Sequence, residues 1–248
     1  MEGIYRTRLF LGVDAFDPQM HLKPVAVLSK MQELGTGQCE TLGLGESWLE
    51  QQGAFWVMVR MCMHLGEGSG VGFSLGETWH QGVWGALWRR DYRLQTLAGV
   101  DYANVVALWA LLDRSNRNIL RPHRFPSEFP SVPEALALPH TPRKLSCSGK
   151  MPLLTEYVIS YRDLDNNGHA HNGRYAEWIC DALPRNLWDR HSVRSMQIDF
   201  RKEALEGDTI AVFGEPLQND SGVWHIAAYI KEELCFCAEL KLSNFATY

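Results

Sequence analysis

Apolar residues along this chain recur either with strand-like or with helical spacing, and the two patterns follow a fixed order. A strand is predicted near Tyr5–Leu11, and a helix from about Pro24 to Leu42. Pro24 suits an early helical position, although Gly35 and Gly37 weaken the helix interior. Runs rich in Val, Phe, Trp and Tyr, separated by Gly-containing turns, predict further strands at Ala54–His64, Phe73–Trp79, Trp84–Leu94 and Val100–Leu112.

The second half of the chain repeats this order. A strand is predicted over about Leu154–Arg162, then a helix over about Asn172–Leu187. Four strands follow, near Met196–Glu203, Thr209–Glu215, Val223–Lys231 and Leu234–Ser243. Between the halves, five prolines from Pro122 to Pro139 indicate an extended linker. We therefore predict an N-terminal domain over residues 1–120, a linker over 121–150 and a C-terminal domain over 151–248.

The repeated order predicts an α+β fold with two similar domains. The first helix carries a wide apolar stripe that needs a sheet to cover it, formed by Val25, Leu28, Met31 and Leu34. Five strands curling around one helix would bury that stripe, and two such units indicate a tandem repeat. The turn Asp17-Pro18-Gln19-Met20-His21 weakly echoes Asp165-Asn166-Asn167-Gly168-His169. We interpret the earlier turn as a non-catalytic relative or a coincidence.

Composition narrows the functional classes. The chain has 248 residues and a formal net charge of −5, which argues against general nucleic-acid binding. No apolar run is long enough to span a bilayer, and no signal peptide is recognised. The six cysteines have neither metal-site nor disulfide-framework spacing, so free thiols in a reducing cytoplasm are expected.

The most informative stretch for function runs from Asp163 to Tyr175. It places two carboxylates, three asparagines and two imidazoles between a predicted strand and a predicted helix. Asp165, Asn167 and His169 lie two residues apart in turn, so an extended loop projects all three to one side. A carboxylate, an amide and an imidazole at a helix N-terminus can position water and stabilise an oxyanion, which suits hydrolysis of an activated carbonyl.

Three other interpretations of this stretch compete with catalysis. Asp and Asn are frequent in turns, so the side chains could simply cap the following helix. A calcium loop matches the first half of the pattern, but its twelfth position needs Glu and carries Arg174. A zinc site is disfavoured because His169 and His171 lack a third His or Cys at helical spacing. We therefore expect neither a metal nor a cofactor.

Several motifs in order along the chain resemble the acyl-acyl carrier protein thioesterases of plants and bacteria. In the second half these are Asp165-x-Asn167-x-His169, Tyr175 and Trp178 in the helix, and Phe200-Arg201-Lys202-Glu203. In the first half they are Trp56-Val57-Met58-Val59-Arg60-Met61, Glu77-Thr78-Trp79, Arg89-Arg90-Asp91-Tyr92 and the run from Ala107 to Arg117. The resemblance implies a tandem hot-dog fold, each repeat a long helix wrapped by a curved antiparallel sheet. No transit peptide precedes Tyr5, so a bacterial member is expected.

The resemblance also implies a catalytic set: Asp165, Asn167, His169 and Glu203. The family often has Cys directly after this Glu, but this chain has Ala204. A cysteine nucleophile at that position is excluded, so water or a carboxylate must attack. Backbone N–H groups of Gly168 and His169 are expected to form the oxyanion site. Which carboxylate acts as base or nucleophile stays open.

Glu203 conflicts with the strand pattern. Alternation places it with Asp199 and Arg201, opposite the apolar Ile198 and Phe200. From alternation alone Glu203 is a surface residue paired with a neighbouring arginine. A bulge or the strand end is needed to bring it to the site, and the resemblance favours that outcome.

The implied substrate is a fatty acyl chain carried by the phosphopantetheine of a small acidic acyl carrier protein. A local basic patch is then required, and the candidates are Arg114, Arg117, Arg121, Arg124, Arg143 and Lys144. Bulky residues of the first half are expected to line an acyl tunnel: Met31, Trp56, Met58, Met61, Trp79 and Trp109. The oligomeric state stays open, a homodimer included.

Two rival functions remain. A hot-dog thioesterase acting on acyl-coenzyme A needs the same chemistry with a different carrier. A non-catalytic acyl-binding protein needs the cavity without the polar constellation, so the intact set of Asp165, Asn167, His169 and Glu203 argues against it. A hot-dog hydratase is disfavoured because no matching motif is found.

Overall fold

Five antiparallel strands and one long helix build the first unit of the chain. The computed structural model describes residues 3–122, 129–147, 151–217 and 220–244. The first unit comprises the described parts of Met1–Leu22 and Ser29–Pro142. Its elements are β1 (Tyr5–Leu11), α1 (Pro24–Thr41), α2 (Glu46–Gln51), β2 (Ala54–Leu65), β3 (Gly72–Trp84), β4 (Leu87–Thr96) and β5 (Asp101–Asp113). The strands pair in the order β1-β3-β4-β5-β2.

The second unit has the same plan. It comprises Lys23–Leu28, the start of α1, and the described parts of Arg143–Tyr248. Its elements are β6 (Leu153–Val158), a 3-10 turn (Tyr161–Asp163), α3 (Asn172–Ala182), β7 (His191–Phe200), β8 (Thr209–Leu217), β9 (Asp220–Ile230) and β10 (Glu233–Asn244). The strands pair in the order β6-β8-β9-β10-β7. This identical order confirms the predicted tandem α+β repeat.

Two predicted elements of the second unit end earlier than expected. Helix α3 stops at Ala182, and the following C-cap residue, Leu183, is extended with ψ of 150°. Pro184 explains this, because the ring of a proline disfavours helical backbone at the residue before it. The first strand stops at Val158 and gives way to the 3-10 turn. Both differences lie beside the polar stretch and shape its surroundings.

Helix α1 packs closely on its sheet because of two glycines that its own propensity disfavours. A Cβ at Gly37 would lie 2.8 Å from the Tyr5 hydroxyl, and one at Gly35 would lie 3.4 Å from that of Tyr92. The buried side of the helix carries Val27, Leu28, Met31 and Leu34. The glycines therefore admit two tyrosine hydroxyls that a larger side chain would crowd.

Part of the predicted linker packs against the first unit. Trp79 Nε1 donates to the carbonyl of Ala135 at 2.8 Å, and the Ala137 N–H donates to the Asp91 carboxylate at 2.8 Å. Arg89 donates to the carbonyl of Leu138 at 2.9 Å. These contacts hold the proline-rich segment on the sheet face opposite α1.

The cysteines correct one expectation. Cys147 and Cys237 are joined by a disulfide within the second unit, so the prediction that all six thiols are free is wrong. Their separation of 90 residues in the sequence explains why spacing gave no sign of the pairing. Cys39, Cys62, Cys180 and Cys235 are not disulfide-bonded. Among the described residues, no helix is long and apolar enough to cross a membrane.

Candidate active site

The polar stretch after β6 folds into a tight turn organised by Asp165. The Asp165 carboxylate accepts the backbone N–H of Asn167 at 2.8 Å and that of His169 at 3.2 Å. The Asp165 N–H donates to the His169 carbonyl at 2.7 Å. Gly168 closes the turn with φ of 76°, a left-handed backbone that favours glycine. The contacts of Asp165 are those of an Asx turn, as the interpretation based on turn-forming residues suggested. The carboxylate stabilises the turn itself and does not cap the following helix.

These bonds occupy the two N–H groups expected to form the oxyanion site. The Gly168 N–H donates to the Asp165 carbonyl at 3.1 Å, and the His169 N–H donates to the Asp165 carboxylate. Both N–H groups are therefore engaged within the turn, and their role as oxyanion donors stays a prediction. An oxyanion at this position would have to displace both internal bonds.

His171, rather than an aspartate, caps helix α3. Its Nδ1 accepts the backbone N–H of Gly173 at 3.0 Å. Burial lowers the pKa of His171, with Arg174 adding to the effect and Asp165 opposing it. The sequence suggested no such role for this histidine, because His is not a favoured residue at helix N-termini.

Asp163, the other carboxylate of the stretch, is structural. Its Oδ2 accepts the N–H of Ser160 at 2.8 Å and the Ser160 hydroxyl at 2.9 Å, which caps the 3-10 turn. Arg174 Nε lies 3.3 Å from Asp163 Oδ1. Arg174 therefore pairs with one of the carboxylates that the calcium interpretation would have used as ligands.

Glu203 reaches His169 from the end of β7. His169 Nε2 lies 3.4 Å from Glu203 Oε2, and both side chains are partly exposed. The segment after β7 pairs with the polar turn. The Ala170 N–H donates to the Ala204 carbonyl at 2.9 Å, and the backbones of His169 and Leu205 form an isolated antiparallel β-bridge. This pairing brings the imidazole and the carboxylate together.

A β-bulge reverses the alternation that had pointed Glu203 away from the site. The N–H groups of Arg201 and Lys202 both donate to the carbonyl of Cys235, at 2.9 and 3.1 Å. Two successive residues opposite one partner define a bulge, which shifts the side-chain alternation by one. Arg201 pairs with Asp199 at 3.0 Å instead. The bulge therefore turns the partly exposed Glu203 side chain toward His169, and not away from it as alternation alone predicted.

Tyr175 lies beneath this segment and had no assigned role in the sequence. Its hydroxyl lies near the backbone of Ala204 and the side chain of Cys235, and burial raises its pKa. Its ring contacts Phe200 and Phe236 edge-on, with centroids 5.1 and 5.6 Å apart. Tyr175 thus fixes the residue next to Glu203. Its apolar position in the predicted helix, six residues after His169, was the sequence signal that could have indicated a supporting role beside the site.

The first unit contains the same turn around Asp17. The Asp17 carboxylate accepts the N–H of Gln19 at 2.9 Å and that of His21 at 2.8 Å, and Met20 has φ of 67°. The weak sequence similarity between the turns around Asp17 and Asp165 therefore reflects the same backbone structure. His21 Nδ1 lies 3.3 Å from Asp17 Oδ2 of its own turn, whereas His169 faces a carboxylate from another segment.

The residues expected to line an acyl tunnel divide between two faces of the first sheet. Register places Met58 opposite Trp109, Met61 opposite Ala107, and Trp56 opposite Leu111, so these side chains share the face that carries Tyr92 and α1. Met31 of α1 is buried on this side. Trp79 is opposite Asp91 and lies on the other face, under Ala135. Trp79 therefore packs under the proline-rich segment and not beside the other members of the set.

The described residues of the expected basic patch belong to both units. Arg114, Arg117 and Arg121 are exposed in the first unit, and the guanidinium groups of Arg114 and Arg117 lie 5.9 and 5.1 Å from the Phe55 ring centroid. Arg143 and Lys144 are exposed in the second unit, and Arg124 lies outside the described residues. Among the residues that the structure describes, no group of three His, Cys, Asp or Glu could hold a metal ion.

Two family models cover most of the chain. The acyl-ACP thioesterase N-terminal domain matches residues 2–131, and the acyl-ACP thioesterase C-terminal domain matches residues 149–235. Oleoyl-acyl carrier protein thioesterase 1 of Arabidopsis thaliana is 21% identical over 202 residues, which are 74% of this chain and 56% of the relative. The palmitoyl-acyl carrier protein thioesterase of the same plant is 22% identical over 194 residues, 71% of this chain and 46% of the relative. The chain thus spans about half the length of these curated relatives.

Solved structures share the fold. An oleoyl thioesterase from Lactobacillus plantarum has a TM-score of 0.83 at 15% identity, covering 99% of this chain and 98% of its own. The 12:0-ACP thioesterase from Umbellularia californica has a TM-score of 0.80 at 18% identity, covering 97% of this chain and 94% of its own. These likenesses confirm the predicted tandem hot-dog fold.

Proposed function

The chain belongs to the acyl-ACP thioesterase family, and we propose that it hydrolyses the thioester of a fatty acyl-acyl carrier protein. The reaction releases a free fatty acid and ends chain elongation. The observation that carries this proposal is the 3.4 Å approach of His169 Nε2 to Glu203 Oε2 beside the turn of Asp165 and Asn167. An imidazole next to a carboxylate in a partly exposed position suits activation of water.

The proposed chemistry assigns the base to the His169–Glu203 pair. Glu203 accepts a hydrogen bond from the Nε2–H of His169 and orients the ring. The unprotonated Nδ1 then takes a proton from water as the water oxygen bonds to the thioester carbon. The tetrahedral intermediate then collapses, the carbon–sulfur bond breaks, and His169 returns the proton to the departing thiolate sulfur. The products are the fatty acid and the carrier thiol, and the enzyme is restored.

The two remaining members of the set support this pair. Asp165 already accepts two backbone N–H groups of its own turn, which favours a positioning role over attack on the substrate. The exposed amide of Asn167 can hold the attacking water. Ala204 offers no thiol, so water is the nucleophile that this arrangement supports.

In this proposal, two different surfaces recognise the two parts of the substrate, the acyl chain and the carrier protein. The acyl chain contacts the inner face of the first unit, through Met31, Trp56, Met58, Met61 and Trp109. The acidic carrier protein contacts basic side chains, for which the exposed Arg114, Arg117 and Arg121 are the candidates in the first unit. The guanidinium groups of Arg114 and Arg117 already lie over one aromatic ring, which limits the conformational entropy lost on binding.

A side-by-side assay tests the proposal. The purified protein is incubated with acyl carrier thioesters of increasing chain length and with the matching coenzyme A thioesters, and the released acids are measured. The proposal expects a higher kcat/KM for the carrier-bound substrates. A preference for coenzyme A thioesters would support the first rival, and binding without release of acid would support the second.

A further inference from the structure

His171 uses one ring nitrogen to hold helix α3, which determines the chemistry of the other. Nδ1 accepts the Gly173 N–H at 3.0 Å, and an accepting ring nitrogen carries no proton. The ring is therefore neutral with its proton on Nε2. Burial lowers the pKa of His171, which keeps the ring in this neutral form near pH 7. His171 thus presents a fixed N–H donor at Nε2.

Extended backbone places the side chain of His171 on the same side of the chain as that of His169. Ala170 is buried, and its N–H is paired with the Ala204 carbonyl at 2.9 Å. In extended backbone, the side chains on either side of an inward residue project to the opposite side. On that side His169 meets Glu203. His171 is also close enough to Asp165 for that carboxylate to affect its pKa.

The site needs such a donor. Thioester hydrolysis develops negative charge on the carbonyl oxygen, and a fixed hydrogen-bond donor stabilises that charge. The Gly168 and His169 N–H groups, the expected donors, are engaged by Asp165 within the turn. A neutral imidazole can take this role, as the neutral histidine of triosephosphate isomerase does when it polarises a carbonyl.

We propose that His171 donates its Nε2–H to the thioester carbonyl oxygen and stabilises the oxyanion that forms when water attacks. No proton is transferred from His171 in this step. The inference rests on the proposed thioesterase function and adds a catalytic residue to it. The competing explanation is that His171 only caps α3.

Three substitutions separate the donor from the cap. In His171→Asn, the side-chain oxygen can accept the Gly173 N–H while the amide nitrogen donates, which reproduces the relation of the two ring nitrogens. In His171→Asp, the carboxylate can cap the helix but cannot donate. In His171→Ser, a neutral hydroxyl caps the helix but is too short to reach a substrate oxygen, which controls for the charge of Asp.

The test measures kcat, KM and melting temperature for the wild type and these variants on one carrier-bound substrate. All three variants should melt close to the wild type because each retains a cap. We expect His171→Ser and His171→Asp to lower kcat by about a hundredfold with little change in KM, the scale of a lost oxyanion donor. His171→Asn should restore kcat to within about tenfold of the wild type.

Equal kcat values for the Ser, Asp and Asn variants, with an active wild type, would overturn the donor role and leave His171 as a cap. A wild-type protein that releases no acid from any carrier-bound or coenzyme A thioester would overturn the proposed function, and this inference with it. His169→Ala is measured beside these variants as a control. A loss of kcat in His169→Ala shows that the measured hydrolysis takes place at the proposed site.

Discussion

His169 Nε2 lies 3.4 Å from Glu203 Oε2 because β7 ends in a bulge. The carbonyl of Cys235 accepts the N–H groups of both Arg201 and Lys202, so the backbone gains one residue relative to its partner strand. Without this extra residue, alternation would leave Glu203 on the same side as Asp199. A local backbone irregularity therefore decides whether the second carboxylate of the proposed mechanism is present at the site.

Asp165→Asn should retain most of the turnover, whereas Asp165→Ala should lose it. The Asn oxygen can accept the N–H groups of Asn167 and His169 as the carboxylate does, so the turn is preserved. Ala removes both bonds and should destabilise the protein by about 1–3 kcal/mol. Steady-state kinetics and denaturant unfolding of both variants check this. A dead but fully stable Asp165→Asn enzyme would instead make Asp165 the base or the nucleophile.

Activity should survive both metal chelators and mild thiol alkylation. Ala204 provides no nucleophilic thiol, and burial raises the pKa of the Cys235 and Cys180 thiols to about 12, which suppresses their reactive thiolate forms. Hydrolysis is measured before and after treatment with chelator and with iodoacetamide. Complete loss on chelation that added metal reverses would contradict this account of the chemistry.

Acidification should destabilise the protein through His80. The side chain is buried and donates to the Arg89 carbonyl, and burial lowers its pKa to about 4. Below its ordinary pKa of about 6.5 the unfolded chain binds a proton that the folded protein does not, so the free energy of unfolding falls between about pH 6.5 and pH 4. The contribution is about 2 kcal/mol at pH 5.

His80→Asn isolates this contribution because its amide N–H can still donate to Arg89, while the side chain no longer titrates. Urea unfolding of both proteins at pH 7 and pH 5 gives the comparison. The wild type should lose about 2 kcal/mol more than the variant over this interval. An equal loss in both proteins would show that His80 is not the titrating group.

Shortening Met58 or Trp109 should shift the released acids toward longer chains, because these side chains lie on the inner face of the first sheet. Each additional buried methylene contributes about 0.8 kcal/mol, so the space vacated by a large side chain can favour two more carbons. Trp79→Phe is the matched control, since Trp79 lies on the outer face. It should lower the melting temperature without changing the products. An unchanged product profile across Met58→Ala and Trp109→Ala would reject an acyl tunnel at this face.

The repeat of helix and strands could be predicted from the sequence because apolar periodicity reports local structure and burial directly. The position of Glu203 could not, since the bulge at Arg201 and Lys202 depends on how a distant strand presents the Cys235 carbonyl. For Asp165 the sequence left two roles open, because the same residue pattern is compatible with a carboxylate that binds its own turn and with one that binds substrate. The structure shows the contacts within the turn. Pairing of Cys147 with Cys237 likewise depends on the completed fold.

Turnover by His169→Ala and Glu203→Gln tests the central claim most directly. Gln keeps the shape of Glu203 but cannot orient the imidazole as a charged acceptor, and Ala removes the base. Each variant should lower kcat on a carrier-bound acyl thioester by about a hundredfold or more while melting like the wild type. Glu206→Gln, an exposed carboxylate three residues further along, should match the wild type. Wild-type kcat in a well-folded His169→Ala or Glu203→Gln protein would contradict the assignment of this pair.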